Sequence, residues 1–119
     1  IDPNGPAMSN AIIAVLHARL GDPETAFKVF KKSYTDKLRP PFGVLSENAN
    51  NSRVSFATGL GGILQSVIFG FAGLEITEQG IIQLPTKIPS HWKSLTVTGV
   101  GVDKKTYKVE NPDYTGNQR

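Results

Sequence analysis

Of the ionisable side chains in this sequence, Glu47 has the setting best suited to chemistry. It ends the turn-prone run Pro40-Pro41-Phe42-Gly43-Val44-Leu45-Ser46-Glu47, with Asn48 next and the glycine-rich segment Phe56-Ala57-Thr58-Gly59-Leu60-Gly61-Gly62 soon after. A carboxylate on a loop, close to small residues that let other groups approach, is equipped for general acid or base work. Ser46 and Asn48 offer hydrogen bonds that would tune it, and Asn50, Asn51 and Thr58 add groups able to hold water or ligand hydroxyls. Acid–base hydrolysis commonly uses two carboxyl groups. One protonates the leaving oxygen and the other activates water. Glu47 suits either role, and its residue type alone leaves both open beside the ordinary state of a loop glutamate, a solvated surface charge.

Other chemistries find little support. There are no cysteines for disulfides or thiolate ligands, and only two histidines, His17 and His91, so neither a metal site nor a cofactor is expected. The formal charge is +3, and its densest cluster, Lys28, Lys31 and Lys32, has helical spacing with no interleaved aromatics. That pattern is a solvated helix face, and no nucleic-acid partner is expected. Trp92 reads as packing between helices and strands, and His17 and His91 as structural. With 119 residues, 39% hydrophobic and 19% charged, the chain matches a soluble globular domain. It opens at Ile1 without an initiator methionine and reads as a piece of something longer. No signal peptide is visible, which leaves the compartment open, with a periplasmic or extracellular one placed ahead of the cytoplasm.

Three helices must position the loop. Ala7 to Leu20 carries Met8, Ile12, Val15 and Leu16 at helical spacing after Pro6. Gly21 closes it, and Asp22-Pro23-Glu24 starts a second helix, to about Tyr34, with capping, proline and acidic signals in order. From Thr35 to Arg53 the chain lacks periodicity and reads as a long loop. A third helix is expected from Phe56 to Phe71, its Gly59, Gly61 and Gly62 implying close packing or a ligand nearby. The uncharged run from Val54 to Leu74 is long enough to span a bilayer, but its many glycines and polar residues favour a helix buried in protein, with no membrane partner. After Gly73 the period changes to that of strands. Residues 74–77 and 81–84 flank Glu78-Gln79-Gly80 as a hairpin, and 95–102, with a bulge at Gly99, precedes a strand over 106–109.

A set of landmarks in one order carries a family resemblance. They are Gly5-Pro6-Ala7-Met8, Ala18-Arg19-Leu20-Gly21-Asp22, Ser46-Glu47-Asn48, Thr58-Gly59-Leu60-Gly61-Gly62-Ile63-Leu64-Gln65, Phe69-Gly70-Phe71-Ala72-Gly73-Leu74, Leu84-Pro85 and Trp92-Lys93-Ser94-Leu95. Together they resemble the C-terminal end of glycoside hydrolase family 65, over most of the chain. The resemblance implies an α+β fragment of a larger enzyme. Residues 1–73 would be the last helices of an (α/α)6 barrel, 74–111 a small antiparallel β domain and 112–119 a polar tail.

Enzymes of this family cleave α-linked glucosides with inversion, using water or phosphate as the attacking group. The phosphorylases carry a His-Ile-Thr-Ser-type stretch where this chain has Phe56-Ala57-Thr58-Gly59, and neither Phe56 nor Gly59 donates a side-chain hydrogen bond to phosphate. The hydrolases are similar in having a glutamate at the Glu47 position, as general base. The resemblance therefore gives Glu47 the water-activating role; from their own polar groups, Thr58 and Asn48, the latter a loop hydrogen-bonder first and a substrate contact second, are the candidate substrate contacts. Its general acid lies upstream, so this chain alone is expected to be inactive. Its implied partners are an α-linked disaccharide or glycan, and the rest of the parent enzyme or a second copy. The alternatives are a disaccharide phosphorylase of the same family, a non-catalytic carbohydrate- or protein-binding module, and, ranked last, the related barrel family acting on α-fucosides.

Overall fold

In a computed structural model of the chain, which describes residues 5–50 and 56–114, helices occupy the first part and short antiparallel ladders the rest. Asn51, Arg53, Val54 and the tail beyond Tyr114 lie outside the described residues. Helix α1 spans Ala7–Arg19 and α2 spans Pro23–Lys32. The signals between them act as their chemistry requires. Gly21 takes a φ of 82°, and the Asp22 carboxylate accepts the Thr25 N–H at 3.1 Å with Pro23 in the first turn.

Alanines make the inner stripe of α1. Ala14 and Ala18 pack with Ala26 and Phe30 of α2, and Ala7 and Ala11 face α3 (Ala57–Gln65). The glycines of α3 serve this seam selectively. A β-carbon at Gly62 would lie 3.0 Å from that of Ala11, and one at Gly59 3.0 Å from that of Ala7, whereas Gly61 faces open space.

The third helix does not run uniformly to Phe71. It is α-helical to Gln65 and widens into a π-helical extension over Ser66–Phe71. The change begins at a serine whose buried hydroxyl lies 2.9 Å from the Ala11 carbonyl and 3.0 Å from that of Gly62. A hydroxyl entering the hydrogen-bond ladder and a neighbouring helix pressed against it favour the wider turn.

The expected long loop contains a minimal ladder, β1 (Leu38–Arg39) against β2 (Val44–Leu45), closed by a turn with a cis Pro40–Pro41 bond. Strands β3 (Leu74–Thr77) and β4 (Gly80–Gln83) form the hairpin after the helices, with Leu74 opposite Gln83. Strands β5 (Ser94–Val100) and β6 (Lys105–Glu110) pair with a register break between Val97 and Val100, where Gly99 has a φ of 70°. Strand β5 stops short of Val102. Positive φ at Gly101 and Lys104 curls the chain into a turn and leaves Val102 97% exposed.

The connection between β4 and β5 packs onto the helices through Ile88 and Trp92, with Leu95 of β5 and Val109 of β6 alongside, the indole centroid lying 5.0 Å from Phe71 and 5.4 Å from Phe27. His91 rests edge-on against Phe27 at 4.5 Å, and His17 Nδ1 stands 3.8 Å from Asp22. The result is a small α+β fold with antiparallel ladders. Among the described residues, no helix is long and apolar enough to cross a membrane.

Candidate active site

The loop carrying Glu47 is held by its main chain. The Glu47 carbonyl accepts from the N–H of Ala7, first residue of α1, at 3.0 Å. Two residues earlier, the Leu45 carbonyl accepts from Phe56 N, immediately before α3, at 3.1 Å. Ser46 N donates to the Lys37 carbonyl at 2.8 Å, extending the β1–β2 ladder by a step. Leu45 and Ser46 are buried, so these bonds form away from bulk water, where leaving a backbone group unpaired costs most.

Two cations complete the grip. Lys37 is fully buried. Its ammonium donates to the Asp36 carboxylate at 2.7 Å and to the Lys32 carbonyl at the end of α2 at 2.9 Å. A buried ammonium needs such partners, because desolvation of an unpaired charge is severe. Arg39, on β1, turns Nη2 to the carbonyls of Asn48 and Ala49 and Nη1 to those of Asp36 and Leu38. One planar guanidinium thus ties the strand entering the turn to the segment that follows Glu47. Neither cation was singled out by residue pattern. The available signal was two basic residues, Lys37 and Arg39, just before the prolines of the loop, with Asp36 beside Lys37.

The Glu47 carboxylate itself is half-buried and takes no hydrogen bond or ion pair from the described residues. The tuning expected from Ser46 does not occur. Its buried hydroxyl donates instead to the Asn48 carbonyl at 2.8 Å, the nearest way to satisfy a polar group without solvent. Asn48 is half-buried, and its carbonyl is committed both to Ser46 and to Arg39. Thr58 is exposed on the first turn of α3, next to Gly59, whose α-carbon sits among Phe56, Leu45 and Ala7. Glu47, Asn48 and Thr58 are therefore linked through one corner of the fold, where α1 and α3 begin. Surface depressions beside α2 around Phe27 and Lys31 and along Gln83–Thr86 are lined by other residues. The arrangement supplies a fixed main chain and an uncommitted carboxylate, the requirements for a group that must accept a proton from something bound against it.

Known proteins extend the comparison. A kojibiose hydrolase from Mucilaginibacter mallensis is 50% identical over 105 residues, covering 88% of this chain and 16% of that protein. A protein-glucosylgalactosylhydroxylysine glucosidase from Danio rerio is 38% identical over 100 residues, 83% of this chain and 15% of that protein. A kojibiose phosphorylase from Thermoanaerobacter brockii is 29% identical over 105 residues, 88% of this chain and 11% of that enzyme. The chain thus spans about a sixth or less of the length of the curated relatives it matches. No protein-family model matches.

Proposed function

We propose, since this chain belongs to glycoside hydrolase family 65, that it is part of an inverting α-glucoside hydrolase in which Glu47 is the general base. Glu47 would take a proton from a water molecule as the water oxygen attacks the anomeric carbon. The leaving glycosidic oxygen would gain its proton from an acid outside the chain. Asn48 and Thr58 would contact the sugar from the same corner. Residues 1–73 would close an (α/α)6 barrel, 74–111 would form a β domain beside it, and 112–119 a polar tail.

The observation that carries this reading is the uncommitted, half-buried Glu47 carboxylate on a backbone pinned from α1, α3 and β1. The outer face of α1 supports the barrel. Ile12 and Leu16 are each 54% exposed opposite the alanine stripe, so the helix carries apolar side chains on two opposite faces, as expected of one sandwiched between layers.

Water is favoured over phosphate as the attacking group for two reasons. The hydrolytic relative from M. mallensis shares 50% identity with the chain and the phosphorylase from T. brockii 29%. In addition, Gly59 has no room for the side chain that a phosphate-binding serine would need: an added β-carbon meets Phe56 at 2.8 Å and Leu45 at 2.9 Å. The relatives' names put kojibiose and glucosylated glycans among the α-glucosides to try first.

The test is Glu47→Gln in the complete enzyme that contains this chain. Turnover should fall about 100- to 10,000-fold, the usual worth of a general base, with the folded state retained. Near-normal turnover would remove the base assignment. Release of a sugar 1-phosphate that depends on added phosphate would move the parent protein to the phosphorylases.

A further inference from the structure

We infer that Arg39 is a positioning residue for Glu47, fixing the segment that aims its carboxylate; this rests on the reading of Glu47 as general base. The guanidinium spans the mouth of the β1–β2 turn. On one side it donates to the carbonyls of Asp36 and Leu38, at 3.0 and 3.5 Å; on the other it reaches Asn48, at 3.1 Å, and Ala49. The Asn48 carbonyl also receives the Ser46 hydroxyl, so the residues on either side of Glu47 are joined through a single oxygen.

On the preceding side the loop is held by backbone pairs, Leu45 to Phe56 and Ser46 to Lys37, and at Glu47 by Ala7. On the following side, the bonds to Asn48 and Ala49 that pin the chain to another element come from Arg39 among the described residues. Without the guanidinium, the segment after Glu47 would lose its bonds to another element and keep, among the described residues, the local one from the Ser46 hydroxyl to the Asn48 carbonyl. Lysine cannot substitute. It offers a point charge on a flexible stem, whereas the planar fork meets carbonyls on both sides of the turn at once. A base displaced by about 1 Å loses up to roughly 100-fold in rate even when the rest of the site is intact.

The experiment compares Arg39→Ala, Arg39→Lys, Glu47→Gln and the Arg39→Ala/Glu47→Gln double variant in the complete enzyme, with kcat, KM and the unfolding midpoint measured for each. Arg39→Ala should lower kcat about 10- to 100-fold, with a smaller change in KM. Arg39→Lys, which keeps the charge and serves as the folded control if the alanine variant fails to fold, should recover less than half of that loss on a logarithmic scale. The double variant should turn over no more slowly than Glu47→Gln alone, because there is no longer a base to aim.

Normal kcat in Arg39→Lys, or an undiminished further loss in the double variant, would overturn the inference while leaving Glu47→Gln inactive and the base assignment standing. Full activity in Glu47→Gln would instead defeat the base assignment, and the Arg39 inference with it.

Discussion

At the scale of single residues, Gly59 and Gly61 separate packing from decoration. Both lie in α3, yet only Gly59 is hemmed in, by Phe56, Leu45 and Ala7, all within 3.0 Å of an added β-carbon. Gly59→Ser should cost the complete enzyme about 1–3 kcal/mol in denaturant unfolding, an overpacking penalty, and should confer no phosphate-dependent cleavage. Gly61→Ala, with nothing within 4 Å, should be neutral or stabilising by up to about 1 kcal/mol. The glycine spacing on its own allowed close packing or a ligand for either position. Two of the three neighbours that decide between these, Ala7 of α1 and Leu45 of β2, are distant in sequence. The role proposed for Glu47 was likewise beyond the reach of residue chemistry, since a loop glutamate has the same composition whether or not it serves as a base. Only the family resemblance distinguished it. The burial of Lys37 was also illegible, because a lysine enters the interior only when a helix end and a carboxylate happen to meet it there.

At the scale of elements, local signals were most reliable where the physics is local. The start of α2 is an example, its cap, proline and acidic residue lying next to one another in the chain. Hydrogen bonding from Thr25, through its side chain and then its N–H, holds the Asp22 carboxyl below its usual 3.8, with a smaller contribution from the charge of His17. A carboxyl whose folded pKa is depressed stabilises the fold fully above its unfolded value and loses that contribution as pH falls through the folded one. Asp22→Ala should therefore lower the unfolding midpoint at neutral pH. The gap between variant and parent should close as the pH is taken below 3.8, in thermal scans across that range. A gap that stayed constant with pH would show that the charged cap contributes nothing. The π-helical extension was not foreseen for the opposite reason. It depends on Ser66 reaching Ala11 on another helix, and nothing in a run of apolar residues announces that contact.

At the scale of the whole molecule, the fold is drawn out for its length. Its radius of gyration is 15.1 Å, against about 13.5 Å for a compact domain of the same size. Ile12 and Leu16 on α1 and Leu60 and Leu64 on α3 lie open at the surface. Apolar surface of this kind promotes association. Expressed by itself, the chain should self-associate in sedimentation velocity runs at high concentration. The Ile12→Lys/Leu16→Lys variant should shift it toward the monomer, and a strictly monomeric parent would count against a covering partner. The sequence made the order of helices and hairpins legible, but not which faces they leave bare, since that depends on what else is folded against them. The loop around Glu47 carries one more implication. It is grasped by carbonyl oxygens, at Leu45, Glu47, Asn48 and Ala49, and a carbonyl is the same whatever residue bears it. The side chains at positions 48 and 49 can thus be exchanged without unfastening the scaffold beneath, and under the proposed function such exchanges would redecorate the rim beside Glu47.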